Sequence, residues 1–126
     1  RPGGLGFVPL GLGGGAALRA GGDTDARLAA WLAGIESAAL RGLMECDRLA
    51  AWEAQARDLT APMSGRTPAR LIDALAAWPI VSAPMLAAQT GASRAAVQRN
   101  MIRFEDLGLV RELTGQARFR FWRAAL

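Results

Sequence analysis

Two helix starts on either side of one glycine constrain this chain more than any other feature. Ser82-Ala83-Pro84 reads as a capping side chain followed by an early proline, and Met85, Leu86 and Ala88 supply a short apolar face after it. Thr90-Gly91-Ala92 closes that helix, because glycine takes the left-handed backbone conformation at no steric cost. Ser93 then caps a longer helix expected to run to about Leu107. Two helices joined this tightly must cross rather than continue.

At about 100° per residue the longer helix sorts into two faces. Val97, Met101 and Phe104 fall on one side, with Asn100 and Leu107 at its edge. Ala95, Gln98, Arg99, Ile102 and Arg103 fall on the other. A helix of this kind meets what the major groove of duplex DNA requires. Arginine can donate two hydrogen bonds to guanine, glutamine can pair in the same way with adenine, and small Ala95 and Ala96 allow close approach. Arg94 stands at the helix N-terminus, where free N–H groups already favour phosphate.

Beyond Leu107-Gly108-Leu109, Val110 to Leu113 reads as a short strand, Thr114-Gly115-Gln116-Ala117 as a hairpin tip, and Arg118 to Trp122 as a returning strand of period two. This phase sends Phe119 and Phe121 inward and Arg118 and Arg120 outward together. A basic hairpin placed directly after such a helix is a wing, suited to phosphates or the minor groove.

Charge supports this division. All 15 basic residues are arginine, and they are unevenly spread. Residues 1–60 carry six arginines against seven acids, whereas residues 61–126 carry nine against four. The basic excess favours a polyanionic partner, nucleic acid before membrane. The absent residue types exclude much else. Without histidine or lysine there is no Ser-His-Asp triad, Cys-His dyad, Schiff-base lysine or P-loop lysine, and one cysteine cannot hold structural zinc. No enzyme activity, cofactor or metal is expected. Glu105-Asp106 reads as a solvated pair, and Cys46 as a small buried hydrophobe suited to a reducing, cytoplasmic setting.

Three segments emerge. Residues 1–22 hold nine of the 15 glycines and read as an arm or linker; Arg1 in place of Met points to a piece of a longer chain. Gly11 to Ala16 satisfies a dinucleotide-binding glycine pattern without the strand that should precede it, and the linker reading is preferred. Residues 23–60 are a helical extension, either one long helix or a helical pair, with Thr24 or Asp25 as its cap. Leu28, Trp31, Leu32, Ile35, Ala38, Ala39, Leu43, Cys46, Leu49, Trp52 and Ala56 form its stripe, and a homodimer seam through residues 24–58 is expected. Residues 61–126 follow a loop at Thr60–Gly65, with Thr67 capping a helix that buries Leu71, Ile72, Leu75 and Trp78. Prolines 79 and 84, Gln89 and Gly91 break the uncharged run from Ala74 to Ser93, so no membrane span is expected.

Leu86–Ser93, Val97–Met101, Leu107–Val110 and Thr114–Arg118 together resemble the bacterial winged helix-turn-helix superfamily. They are most similar to the C-terminal DNA-binding domain of plasmid-associated rhizobial proteins, and also to the winged-helix tail of some Fic-domain proteins. The resemblance covers about residues 67–126. It implies a mainly α fold of three helices plus a two-stranded wing, and sequence-specific double-stranded DNA binding in transcriptional control, often as a dimer. Base-contacting positions carry over to Arg94, Ala96, Gln98 and Arg99, and the wing contact to Arg118. Ala96 departs from the threonine frequent at its position. The Fic catalytic loop requires histidine, so no nucleotide transfer is implied. Arg103 and Arg120 join the candidate DNA contacts from their faces alone. The alternative is a winged fold that docks or oligomerises with protein and does not read DNA.

Overall fold

The computed structural model describes Gly11, Gly15 and residues 19–116 and 118–126. Most of the glycine-rich arm, including most of its dinucleotide-like pattern, and Ala117 of the hairpin tip lie outside the described residues. The chain divides into two compact units, residues 1–48 and 49–126.

Helix α1 (Thr24–Thr60) is a single element rather than a helical pair. Its cap is Asp23, one residue earlier than expected. The Asp23 carboxylate accepts from the Ala26 N–H at 2.8 Å, and the Asp23 carbonyl accepts from Arg27 at 3.1 Å. A carboxylate beside free N–H groups also suits the positive end of the helix dipole. In the first unit much of the apolar stripe faces solvent: Leu28, Trp31, Leu32 and Leu43 are exposed, and so is Cys46. The expectation of a buried cysteine is therefore corrected. Its spacing matched the stripe, but the stripe's edge is not covered.

The second unit contains the main core. Here the last turns of α1 contribute Trp52 and Ala56, and α2 (Thr67–Ala77) contributes Leu71, Ile72 and Leu75. Thr67 does not cap α2. Arg66 holds the cap position with no side-chain hydrogen bond, and Pro68 sits in the first turn where a missing N–H costs nothing. Trp78 packs only at the core margin. Arg57 bridges Glu53 on its own helix and Asp73 on α2 at 2.5 and 2.7 Å. Those hydrogen bonds hold its guanidinium even more firmly protonated than usual.

Strand β1 (Val81–Ser82) leads into α3 (Ala83–Thr90). Only Leu86 and Thr90 of α3 are buried; Ala88 is exposed, since eight residues offer a single narrow inner face. Next come α4 (Arg94–Asp106), β2 (Val110–Glu112) and β3 (Phe121–Ala124). β2 and β3 pair as the expected two-stranded wing, and β1 adds a third strand to give an antiparallel sheet in the order β1-β3-β2. Val81 pairs with Trp122, and Glu112 pairs with Trp122 from the other side. The Trp52 indole donates to the Leu109 carbonyl at 2.8 Å, satisfying a buried acceptor beside the sheet.

The returning strand differs most from expectation. It begins at Phe121 rather than Arg118, and its phase is inverted: Trp122 and Ala124 are buried, while Phe119 is 85% and Phe121 42% exposed. Phe119 has φ +58°, outside the strand region, so the ladder cannot extend back through it. A one-residue change of phase turns every side chain over. The run Phe119-Arg120-Phe121-Trp122 offers an aromatic in both phases, and Trp122 fills the core because its indole N–H also finds an acceptor.

Candidate nucleic-acid interface

Local hydrogen bonds fix the turn between α3 and α4. Ser82 Oγ accepts from Met85 N–H, and Gly91 takes φ +70° while donating to the Ala87 carbonyl at 2.9 Å. Thr90 donates its hydroxyl to Leu86 and accepts from the Ala92 N–H. From α2, Arg70 donates to the Thr90 carbonyl at 2.9 Å, so α3's free C-terminal end meets a cation. Ser93 Oγ then accepts from Ala96 N–H at 3.2 Å and starts α4. Every one of these contacts is short-range or reaches the neighbouring helix, which makes the turn stiff.

Helix α4 buries Val97, Met101 and Phe104, as its periodicity predicts. Arg94, Gln98, Arg99 and Arg103 are exposed, Ile102 is 47% exposed, and Ala96 is half-buried. The Asn100 amide donates back to the Ala96 carbonyl, keeping Asn100 at the edge. Arg94 and Gln98 are four residues apart in one row; Arg99 and Arg103 form a second row beside it.

A cleft of about 380 Å³ opens between this helix and the hairpin. Arg94 and Gln98 line it from α4, Arg118, Phe119, Arg120 and Phe121 from the hairpin side, and Ser82 to Pro84 from the start of α3. Four candidate residues far apart in sequence are thus brought together. Ala96, Arg99 and Arg103 do not line the cleft. Among the described residues, Arg94, Arg99, Arg103 and Arg118 form no ion pair, so their charges remain available.

Arg120 is different. Its Nη2 donates to both carboxylate oxygens of Glu105, at 2.7 and 3.0 Å, and its guanidinium carbon lies 5.1 Å from the centre of the Trp122 ring. The Trp122 indole donates to the same carboxylate at 2.6 Å. Glu105 is therefore not a solvated acid, and Arg120 does not face out beside Arg118. One carboxylate ties α4 to the hairpin's base. Nothing local marks Glu105 for this role, because its partners lie 15 and 17 residues downstream.

At the hairpin tip, Glu112 accepts from the Thr114 hydroxyl and N–H and from the Gly115 N–H. The Thr114 hydroxyl, with the two N–H groups and nearby Arg120 behind it, holds the Glu112 carboxyl below its ordinary range.

Among the described residues, four helices, a three-stranded antiparallel sheet and a hairpin beside the exposed face of α4 make a winged helix-turn-helix fold. Residues 68–124 match the model of a family described as an HTH DNA binding domain. The matched stretch runs from the first turn of α2 to the end of β3, and it supports DNA as the partner of this unit. No curated protein matches the chain. Among the described residues, no helix is long and apolar enough to cross a membrane, and no group of three or more acidic or cysteine side chains is placed to hold a metal.

Proposed function

We propose that residues 61–126 bind double-stranded DNA sequence-specifically, as part of a cytoplasmic bacterial transcriptional regulator. In this reading α4 enters the major groove, with Gln98 and Arg99 reading base edges and small Ala96 letting the helix approach. Arg94 holds a phosphate at the helix start, Arg103 extends the contact, and Arg118 reaches the backbone or minor groove. Arg120 braces the wing rather than meeting the DNA. The observation that carries the proposal is the cleft, where unpaired Arg94 on α4 and Arg118 on the hairpin converge around Gln98. Residues 23–60 serve as a dimerisation extension, with a seam through residues 24–58, and residues 1–22 as a linker. A dimer would place two reading helices on half-sites about one helical turn apart.

Titration of fluorescent random-sequence duplex at several salt concentrations tests the reading. Binding should weaken steeply with salt, with about 0.9 in the log–log slope for each phosphate neutralised. After selection of a preferred site, Gln98→Ala and Arg99→Ala should each reduce discrimination at one base pair by about 1–3 kcal/mol. Equal discrimination by Arg99→Ala and the parent would remove α4 from its role. Exposed Ile102 favours a second reading, docking of a protein partner on this face. Absence of duplex binding at low salt would select it.

A further inference from the structure

Arg111 on β2 and Arg123 on β3 stand directly opposite each other in the sheet register, and both are exposed. Like charges directly opposed destabilise an antiparallel pair. An acid nearby would normally neutralise them, yet neither arginine takes part in any ion pair. The carboxylates of the neighbouring elements are otherwise engaged: Glu105 holds Arg120 and Trp122, and Glu112 holds Thr114 and Gly115. Asp106 forms no ion pair with either arginine. The sheet therefore keeps an unneutralised pair of cations at a fixed spacing, on strands too short to hide them.

Strand alternation places Arg123 on the same face as Phe121, about 7 Å further along β3. Phe121 lines the cleft that holds Arg94, Gln98 and Arg118. The outer face of the sheet is thus continuous with that cleft. Leu113, half exposed and bonded through its N–H to the Phe121 carbonyl, completes a surface where cations and apolar side chains alternate. A sugar–phosphate backbone has the matching pattern of anionic phosphates and apolar sugar faces.

We propose that Arg111 and Arg123 form a second phosphate-contact site, which holds the DNA backbone flanking the segment read by α4. The site rests on the DNA-binding reading and extends it from the helix and hairpin tip to the sheet. Bound phosphate offsets the repulsion that the free protein carries. The pair therefore trades stability of the unbound fold for contact in the complex.

The test uses the full chain and a random-sequence duplex, comparing the parent with Arg111→Gln, Arg123→Gln and the double variant. Each single variant should lower the salt slope by about 0.9 and the double variant by about 1.8, with affinity lost equally on all sequences. The melting temperature of the unbound protein should hold or rise, because the repulsion is gone. Arg111→Lys/Arg123→Lys, which keeps both charges, should restore most of the slope. An unchanged slope in the double Gln variant, with the parent still binding, overturns the sheet site and leaves the α4 reading standing. A lower slope accompanied by a lower melting temperature in both single variants overturns it in favour of a structural role. Failure of the parent to bind duplex at low salt overturns both.

Discussion

Removing the carboxylate that joins α4 to the hairpin should unsettle the fold well beyond what a surface acid would. In Glu105→Ala, Arg120 loses its counter-charge and Trp122, 1% exposed, loses the acceptor of its indole N–H. The side chains of the pair are 25% and 23% exposed, between the surface and the interior. Solvent-exposed ion pairs contribute about 0–1 kcal/mol, whereas removing one partner of a fully buried pair costs about 3–5 kcal/mol. An unmet buried donor costs about 1–3 kcal/mol by itself. Screening through the exposed quarter reduces the charge contribution, and the expected total is about 2–3 kcal/mol. For a unit of this size each kcal/mol shifts the melting temperature by about 4–8 °C, so a drop of about 10–20 °C should appear in a circular dichroism melt. Glu105→Gln keeps an oxygen for Trp122 and should lose about half as much. A double-mutant cycle with Arg120→Ala should show coupling of about 1 kcal/mol. DNA affinity of folded Glu105→Ala at low salt should not fall, since the change releases a cation beside the cleft. Losses under about 0.5 kcal/mol in both Glu105 variants, the level of an ordinary surface substitution, would show that this carboxylate does not brace the hairpin.

Three other perturbations address separate parts of the chain. Trp52→Phe removes the indole donor from the Leu109 carbonyl, which still accepts from the Ala125 N–H at 3.0 Å, and should cost about 0.5–1.5 kcal/mol in chemical denaturation; a value near zero would show that the contact contributes little. Glu112 is held below its ordinary range, so its contribution to the hairpin tip is complete above that range and is lost as pH falls through the depressed value. The amide signals of Thr114 and Gly115 should therefore titrate with a midpoint below that of an unperturbed glutamate, and a normal midpoint would remove the three hydrogen bonds from solution. Cys46 is exposed on the same stripe of α1 as Leu28, Leu32 and Leu43, so a parallel dimer through this stripe should yield a Cys46–Cys46 cross-link on mild oxidation. A Leu32→Asp/Leu43→Asp variant should be monomeric by mass and fail to cross-link, whereas a monomeric parent would remove the seam.

The legible parts of the fold were those whose signals are local. Ser82 and Ser93 cap the helices that follow because a side-chain oxygen and an N–H three residues on need nothing else. Gly91 ends α3 because its backbone conformation is difficult for other residues, and α4's inner face follows from its turn angle. Strand β1 was illegible: two residues carry no periodicity, and its existence depends on β3 arriving alongside. The phase of β3 was ambiguous in principle, since Phe119-Arg120-Phe121-Trp122 can present either an inner Phe pair or an inner Trp. Glu105 settles that choice from a distance, and no pattern within a window of a few residues shows it. Charge asymmetry and the face of α4 pointed to Arg94, Gln98 and Arg118 before their convergence on one cleft could be seen. The Arg111–Arg123 pair was missed because neither residue is distinctive until strand register sets them opposite each other.

The central position of β3 has a consequence for how such a molecule can change. Its register is held by β1 on one side and by β2 with the Leu113 N–H on the other, and its base by Glu105, all without the stretch between Leu113 and Arg120. Lengthening that stretch adds only loop-closure entropy, about 0.6 kcal/mol for each doubling of its length. The tip therefore behaves as an exchangeable module on an unchanging chassis. Descendants of this chain can vary how far the hairpin reaches along a partner without altering how α4 is presented, and a graft of a foreign tip between Leu113 and Arg120 should fold on the same frame.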